Sequence, residues 1–144
     1  MEISDPFTST ANCVDRLYKE WCKHGKILIS VDFDDTVYDF HSAGNDHLRV
    51  INILEECQKL GFYITVFTAS KPDRFDFIRE FMSNIGIQIH SINENPIPLH
   101  YGNNGKVYYN ILLDDKAGLG QALDILETTV KIIQKNLQLS LTTP

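Results

Sequence analysis

Ile27-Leu28-Ile29-Ser30-Val31-Asp32-Phe33-Asp34-Asp35-Thr36 is a short apolar run that stops in three carboxylates within four positions. Such a run reads as a buried strand that delivers its last residues to one edge of a sheet. Side chains at i and i+2 of a strand share a face, so Asp32 and Asp34 are expected to point together, with Phe33 turned to the core. Two like charges held together need a cation or a proton. The donor set suits a hard, oxygen-seeking ion such as Mg²⁺.

Working outward, the pattern repeats. Tyr18, Trp21 and Cys22 follow Val14 and Leu17 at helical spacing, so a helix is expected from Ser9 to Lys23, stopping at His24-Gly25. Leu48, Val50, Ile51, Ile53, Leu54 and Cys57 predict a helix over Asp46 to Leu60, ended by Gly61. Phe62 to Phe67 is a second apolar strand, stopping at Thr68-Ala69-Ser70. Pro72 suits the first turn of a further helix, with Phe75, Ile78, Phe81, Met82 and Ile85 on its buried face. Ile87 to Ile89 reads as a short third strand and Val107 to Leu113 as a fourth, ending in Asp114-Asp115. Between them, Ser91 to Gly105 is a long loop rich in Asn, Pro and Gly. Leu119 to about Gln134 is a last amphipathic helix, and 137–144 reads as a frayed tail.

Strands that alternate with helices imply an α/β fold: a three-layer α/β/α Rossmann-like parallel sheet. The organisation expected is an N-terminal helix packed on the core (1–25), a core at 26–136 and the tail. In such sheets ligands bind at the carboxyl ends of the strands. Asp32, Asp34, Thr68, Asp114 and Asp115 follow three different strands and are expected to gather on that edge. The Thr68, Ala69 and Ser70 turn offers a hydroxyl and amides to phosphate oxygens. Lys106, eight residues before Asp114, offers a compact positive charge.

Composition limits the alternatives. A length of 144 residues and an apolar fraction of 43% suit one globular domain with a real core. A net charge of −6 leaves no basic footprint for a nucleic-acid backbone. Cys13, Cys22 and Cys57 lack metal-knuckle spacing and fit reduced thiols in a cytoplasmic setting. No apolar run approaches the ~20 residues of a membrane span, and the first residues lack a signal-peptide profile. The five histidines show no ligand spacing and read as surface or loop residues.

Together these residues resemble the haloacid dehalogenase-like phosphohydrolases, over about Lys26 to Gln134. Asp32-Phe33-Asp34-Asp35-Thr36 matches the first motif of that family, DxDx(T/V) after an apolar strand. Thr68 matches the second, Lys106 the third and Asp114-Asp115 the fourth. The resemblance implies a Mg²⁺-dependent phosphatase working through an aspartyl phosphate. Asp32 is then the nucleophile. Asp34 protonates the leaving oxygen and later activates water, a role that needs a proton on Asp34 near neutral pH. The ion is held by Asp32, the Asp34 backbone carbonyl and Asp115. Asp114 binds it through water or orients Lys106, and Thr68 and Lys106 hold the phosphoryl group.

Only about thirty residues separate Asp34 from Thr68, too few for a large cap domain, so a small capless member with an open site is expected. Such a site suits a phosphorylated small molecule, a nucleotide or an oligonucleotide end. Ala69, Ser70, Arg74 and Tyr38 are candidates for substrate contact, with Lys71, Phe40, Asn93, Asn95 and Tyr101 nearby. Helix capping, turn formation and core packing account for these residues as well. Two alternatives remain from other classes. A receiver-type signalling module also gathers acids, a Thr and a Lys, but its phospho-accepting Asp follows strand three, where this chain has Ile89-His90-Ser91. A non-catalytic binding protein on a phosphatase scaffold would not need both Asp32 and Asp34.

Overall fold

A computed structural model describes residues 5, 7–98 and 105–142. The elements in chain order are α1 (Thr10–His24), β1 (Leu28–Val31), α2 (Leu48–Lys59), β2 (Tyr63–Val66), α3 (Phe75–Asn84), β3 (Ser91–Ile92), β4 (Ile111–Leu113) and α4 (Leu119–Thr142). A turn of 3₁₀ helix, Pro72–Arg74, leads into α3. The four strands form one all-parallel sheet in the order β3-β2-β1-β4, flanked by helices, a Rossmann-like three-layer arrangement. The expected fold class is observed.

Each element follows from local chemistry. The Ser9 side chain accepts from the Asn12 amide at the start of α1, and Gly25 ends it at φ 73° with its amide on the Trp21 carbonyl. Asp46 Oδ1 accepts from the Leu48 amide, which moves the start of α2 two residues past the expected Asp46. The central strands are apolar on both faces. Ile29, Val31, Ile64, Val66 and Leu113 are almost completely buried, together with Phe33 and Leu54. Leu17 of α1 and Leu126 and Ile133 of α4 close the same core.

The edge strands differ from their apolar runs: β3 lies at Ser91–Ile92, inside the expected loop and past Ile87 to Ile89, and β4 is shorter than Val107 to Leu113. The ladder begins at Ser91, not Ile87, and at Ile111, not Val107. The cause is the same on both edges. His90 donates its amide to the Ile64 carbonyl while its own ring Nδ1 accepts from the Ile64 amide, at 3.1 Å. Asn110 donates its amide to the Leu28 carbonyl while its side-chain Oδ1 accepts from the Leu28 amide, at 2.7 Å. In each case a side chain takes the amide that a carbonyl two residues earlier would have accepted in a longer parallel ladder, so backbone pairing does not extend further back along the chain.

The chain end also departs from expectation. Helix α4 does not stop near Gln134 but runs to Thr142. Gln134 donates to Glu56 Oε2 of α2, and Asn136 donates to the Tyr18 hydroxyl of α1, so two polar ties hold the last turns. The aromatic stripe of α3 is only partly core. Ile78 and Met82 are buried, whereas Phe77 is 42% exposed at the rim of the sheet's carboxyl edge. Tyr101 lies outside the described residues.

Candidate metal-assisted active site

Backbone bonds at the sheet edge set the site. The Asp32 amide donates to the Leu113 carbonyl at 2.8 Å, which brings the residue after β1 beside the residues after β4. Carboxylate oxygens of Asp32, Asp114 and Asp115 thereby lie within 4.8 Å of one another. Three hard anionic donors from two adjacent strands are suited to a Mg²⁺-like ion. The crowding has a price in charge. Burial, the Asp115 contact and the Asp114 charge push the Asp32 carboxyl from 3.8 up to about 7.

Thr36 is the part of this cluster that sequence patterning assigned no role. Its side chain is fully buried. Its Oγ accepts from the Asp115 amide at 3.0 Å and lies 3.2 Å from both Asp32 Oδ2 and Asp115 Oδ1. One hydroxyl therefore fixes both acidic segments. A tight turn makes this possible: the Phe33 carbonyl accepts from the Val37 and Tyr38 amides, and Asp35 sits at φ 60° with its amide on the Tyr38 carbonyl.

Asp34 is placed differently from Asp32. Its carboxylate faces Arg74, with Nη1–Oδ2 at 2.6 Å and Nη2–Oδ1 at 2.7 Å. This is a bidentate pair, geometrically specific and charge-assisted. Arg74 Nη1 also donates to Ser70 Oγ at 2.8 Å. The guanidinium carbon lies 5.4–5.8 Å from the ring centroids of Phe33, Tyr38, Phe40 and Phe77. Tyr38 stacks on Phe33 with centroids 5.3 Å apart, so it supports Arg74 as part of a packed aromatic group. The acids therefore form two sets: Asp32, Asp114 and Asp115 in one, and Asp34 on its arginine in the other.

The second-strand turn is held from the third. Asn93, at φ 56°, accepts from the Thr68 amide through Oδ1 and donates to the Thr68 carbonyl through Nδ2, both at 2.8 Å. Thr68 Oγ accepts from the Ser70 amide at 3.1 Å. Asn93 is thus a positioning residue, and Ala69 is left exposed at the tip of the turn. Lys106 is not brought to the acids as an ion pair with any described residue. It is exposed, and its ammonium lies 5.9 Å from the Tyr109 ring centroid. Asp114 Oδ1 instead accepts from the Lys116 amide at 2.9 Å. The third acid of the sequence motif, Asp35, pairs with the exposed His41 ring at 2.5 Å and stays out of the carboxylate cluster.

The chain is similar in fold to a solved structure described as a conserved protein of Bacteroides thetaiotaomicron. Identity is 18% and the TM-score 0.58, over 83% of this chain and 99% of that one. At that identity the likeness carries the fold alone. No protein-family model and no curated protein matches the sequence. Among the described residues no helix is long and apolar enough to cross a membrane.

Proposed function

We propose that this protein is a Mg²⁺-dependent phosphomonoester hydrolase of the haloacid dehalogenase-like type, working through a phosphorylated Asp32. The observation that carries this is the convergence of Asp32, Asp114 and Asp115 within 4.8 Å at the carboxyl edge of a parallel sheet, beside the Thr68 turn. The donors fit the ion: all are carboxylates, and burial together with the neighbouring Asp115 and Asp114 disfavours the charge on Asp32. Bound there by Asp32, Asp115 and Asp114, Mg²⁺ supplies charge neutralisation to the nucleophile and the incoming phosphoryl group.

The steps fall to the chain's own groups. An Asp32 oxygen attacks phosphorus as the ester P–O bond breaks. The electron pair leaves with the ester oxygen, which takes a proton from Asp34. Water then attacks phosphorus and gives its proton to the Asp34 carboxylate. The bond to Asp32 breaks, its electrons return to the carboxylate, and phosphate leaves. Thr68 Oγ and the amides of Ala69 and Ser70 support the transferring oxygens. Lys106, whose side chain is exposed, supplies the positive charge for the phosphoryl group. The expected substrates are phosphorylated small molecules, foremost nucleotides or oligonucleotide ends. The free thiols of Cys13, Cys22 and Cys57 suit a reducing, cytoplasmic setting.

The test is hydrolysis of p-nitrophenyl phosphate. Turnover is expected with Mg²⁺, should vanish with EDTA and should return when Mg²⁺ is restored. Full activity in metal-free protein would remove the metal assignment.

A further inference from the structure

We infer that Arg74 is a displaceable latch on Asp34, released by a second anionic group on the substrate, so that the preferred substrates are phosphomonoesters carrying another phosphate or phosphodiester nearby. The inference rests on the phosphatase reading and deepens it.

Four observations support it. First, both Asp34 oxygens are engaged by Arg74, at 2.6 and 2.7 Å. In that state both oxygens point at the guanidinium, and opening the pair frees them for a leaving group. Second, the pair is accessible to a ligand: the Arg74 and Asp34 side chains are 26% and 30% exposed. Third, the guanidinium has donors to spare. Of its five N–H groups, two on Nη1 and one on Nη2 are used by Asp34 and Ser70, which leaves Nε–H and one Nη2–H without a partner among the described residues. An incoming phosphate can be engaged by these before Asp34 is released. Fourth, the guanidinium does not depend on Asp34 for its position. Ser70 Oγ and the faces of Phe33, Tyr38, Phe40 and Phe77 hold it when the carboxylate leaves.

The exchange trades one bidentate anion for another. A phosphate of higher charge competes well with a carboxylate for a planar fork of N–H donors. A substrate with one phosphate occupies Asp32 and the Thr68 turn and turns over only as fast as the pair opens on its own. A substrate with a second phosphate opens it and frees Asp34 for the proton transfers. Recognition and acid catalysis are thereby coupled, so the gain falls in kcat and not only in KM.

The experiment compares paired substrates in Mg²⁺: a nucleoside 5′-monophosphate with the 3′,5′-bisphosphate, and a sugar monophosphate with the matching bisphosphate, with p-nitrophenyl phosphate as a generic reference. The two pairs separate a nucleotide source from a sugar source of the second anion. Each is measured in the natural protein, in Arg74→Ala and in Arg74→Lys. In the natural protein, kcat/KM for at least one bisphosphate is expected to exceed its monophosphate by tenfold or more, part of it in kcat. In Arg74→Ala the ratio should fall to about one, because no guanidinium is left to meet the second phosphate. Arg74→Lys should give an intermediate ratio. Turnover of all substrates with ratios near one would overturn the latch and leave the phosphatase standing. A preference that persists in Arg74→Ala would do the same. No Mg²⁺-dependent turnover of any phosphomonoester would overturn the phosphatase reading, and the latch with it.

Discussion

Asp32 and Thr36 carry the site at the residue scale. Asp32→Asn keeps the shape and removes the proposed nucleophile, so turnover should fall by at least about a thousandfold while circular dichroism stays unchanged. A normal rate in that variant would place the nucleophile elsewhere. Asp32 also makes metal-free protein sensitive to pH. Its carboxyl is raised from 3.8 to about 7, so below about pH 4 folded and unfolded chains both hold the proton. Between pH 4 and 7 the unfolded chain ionises first. Stability contributed by the proton is therefore complete at low pH and lost as pH rises through 7. Melting curves in EDTA should decline over that window, and Asp32→Asn should flatten the decline. At pH 7.5, Mg²⁺ at about 100 times its dissociation constant should restore about 2.7 kcal/mol, roughly 5–10 °C in Tm. The gain should be smaller at pH 5, where protons compete. A Tm indifferent to Mg²⁺ at both pH values would exclude the ion from this cluster. Thr36→Val removes the acceptor of the Asp115 amide and should cost about 1–3 kcal/mol in urea unfolding.

Elements were legible in the sequence wherever a pattern is periodic. The three long apolar faces and the two central strands announced themselves, and the carboxyl-edge acids stood where their strands stop. The edge strands were misjudged because Ile87 and Val107 are buried without belonging to a ladder. What ends the ladders is a pair of side chains, His90 and Asn110, bonded to strand residues 26 and 82 positions away. No local pattern encodes such a bond. The two devices differ in consequence. Asn110 is half-buried and also donates to Glu20 at 2.9 Å, whereas His90 is exposed, where water can replace its ring. Asn110→Ala should therefore lower urea stability by about 1–3 kcal/mol, and His90→Ala by distinctly less. Equal losses would mean that the Leu28 amide finds another acceptor. The same limit explains the site. Asp34 and Arg74 are 40 positions apart, Thr36 and Asp115 are 79 apart, and neither pairing follows from spacing. Spacing along the chain says as little about Lys106, whose exposed ammonium lies 5.9 Å from the Tyr109 ring centroid.

Over the whole molecule, strand order places two chemical groups on one edge. The central β1 delivers Asp32 and Asp34, with β2 bringing the Thr68 turn on one side and β4 the acidic pair on the other. Between Asp34 and Thr68 the chain is spent on a tight turn, a loop, α2 and β2, which leaves the edge without a large covering domain from that segment. The central claim is that Asp32 takes the phosphoryl group beside a metal held by Asp32, Asp114 and Asp115. A crystal structure of the protein grown with Mg²⁺ and beryllium fluoride tests it most directly, because the fluoride mimics a phosphoryl group on a carboxylate. Beryllium bonded to an Asp32 oxygen, with Mg²⁺ among the three carboxylates, is the predicted result. Beryllium on another residue, or Mg²⁺ bound away from these acids, would contradict it.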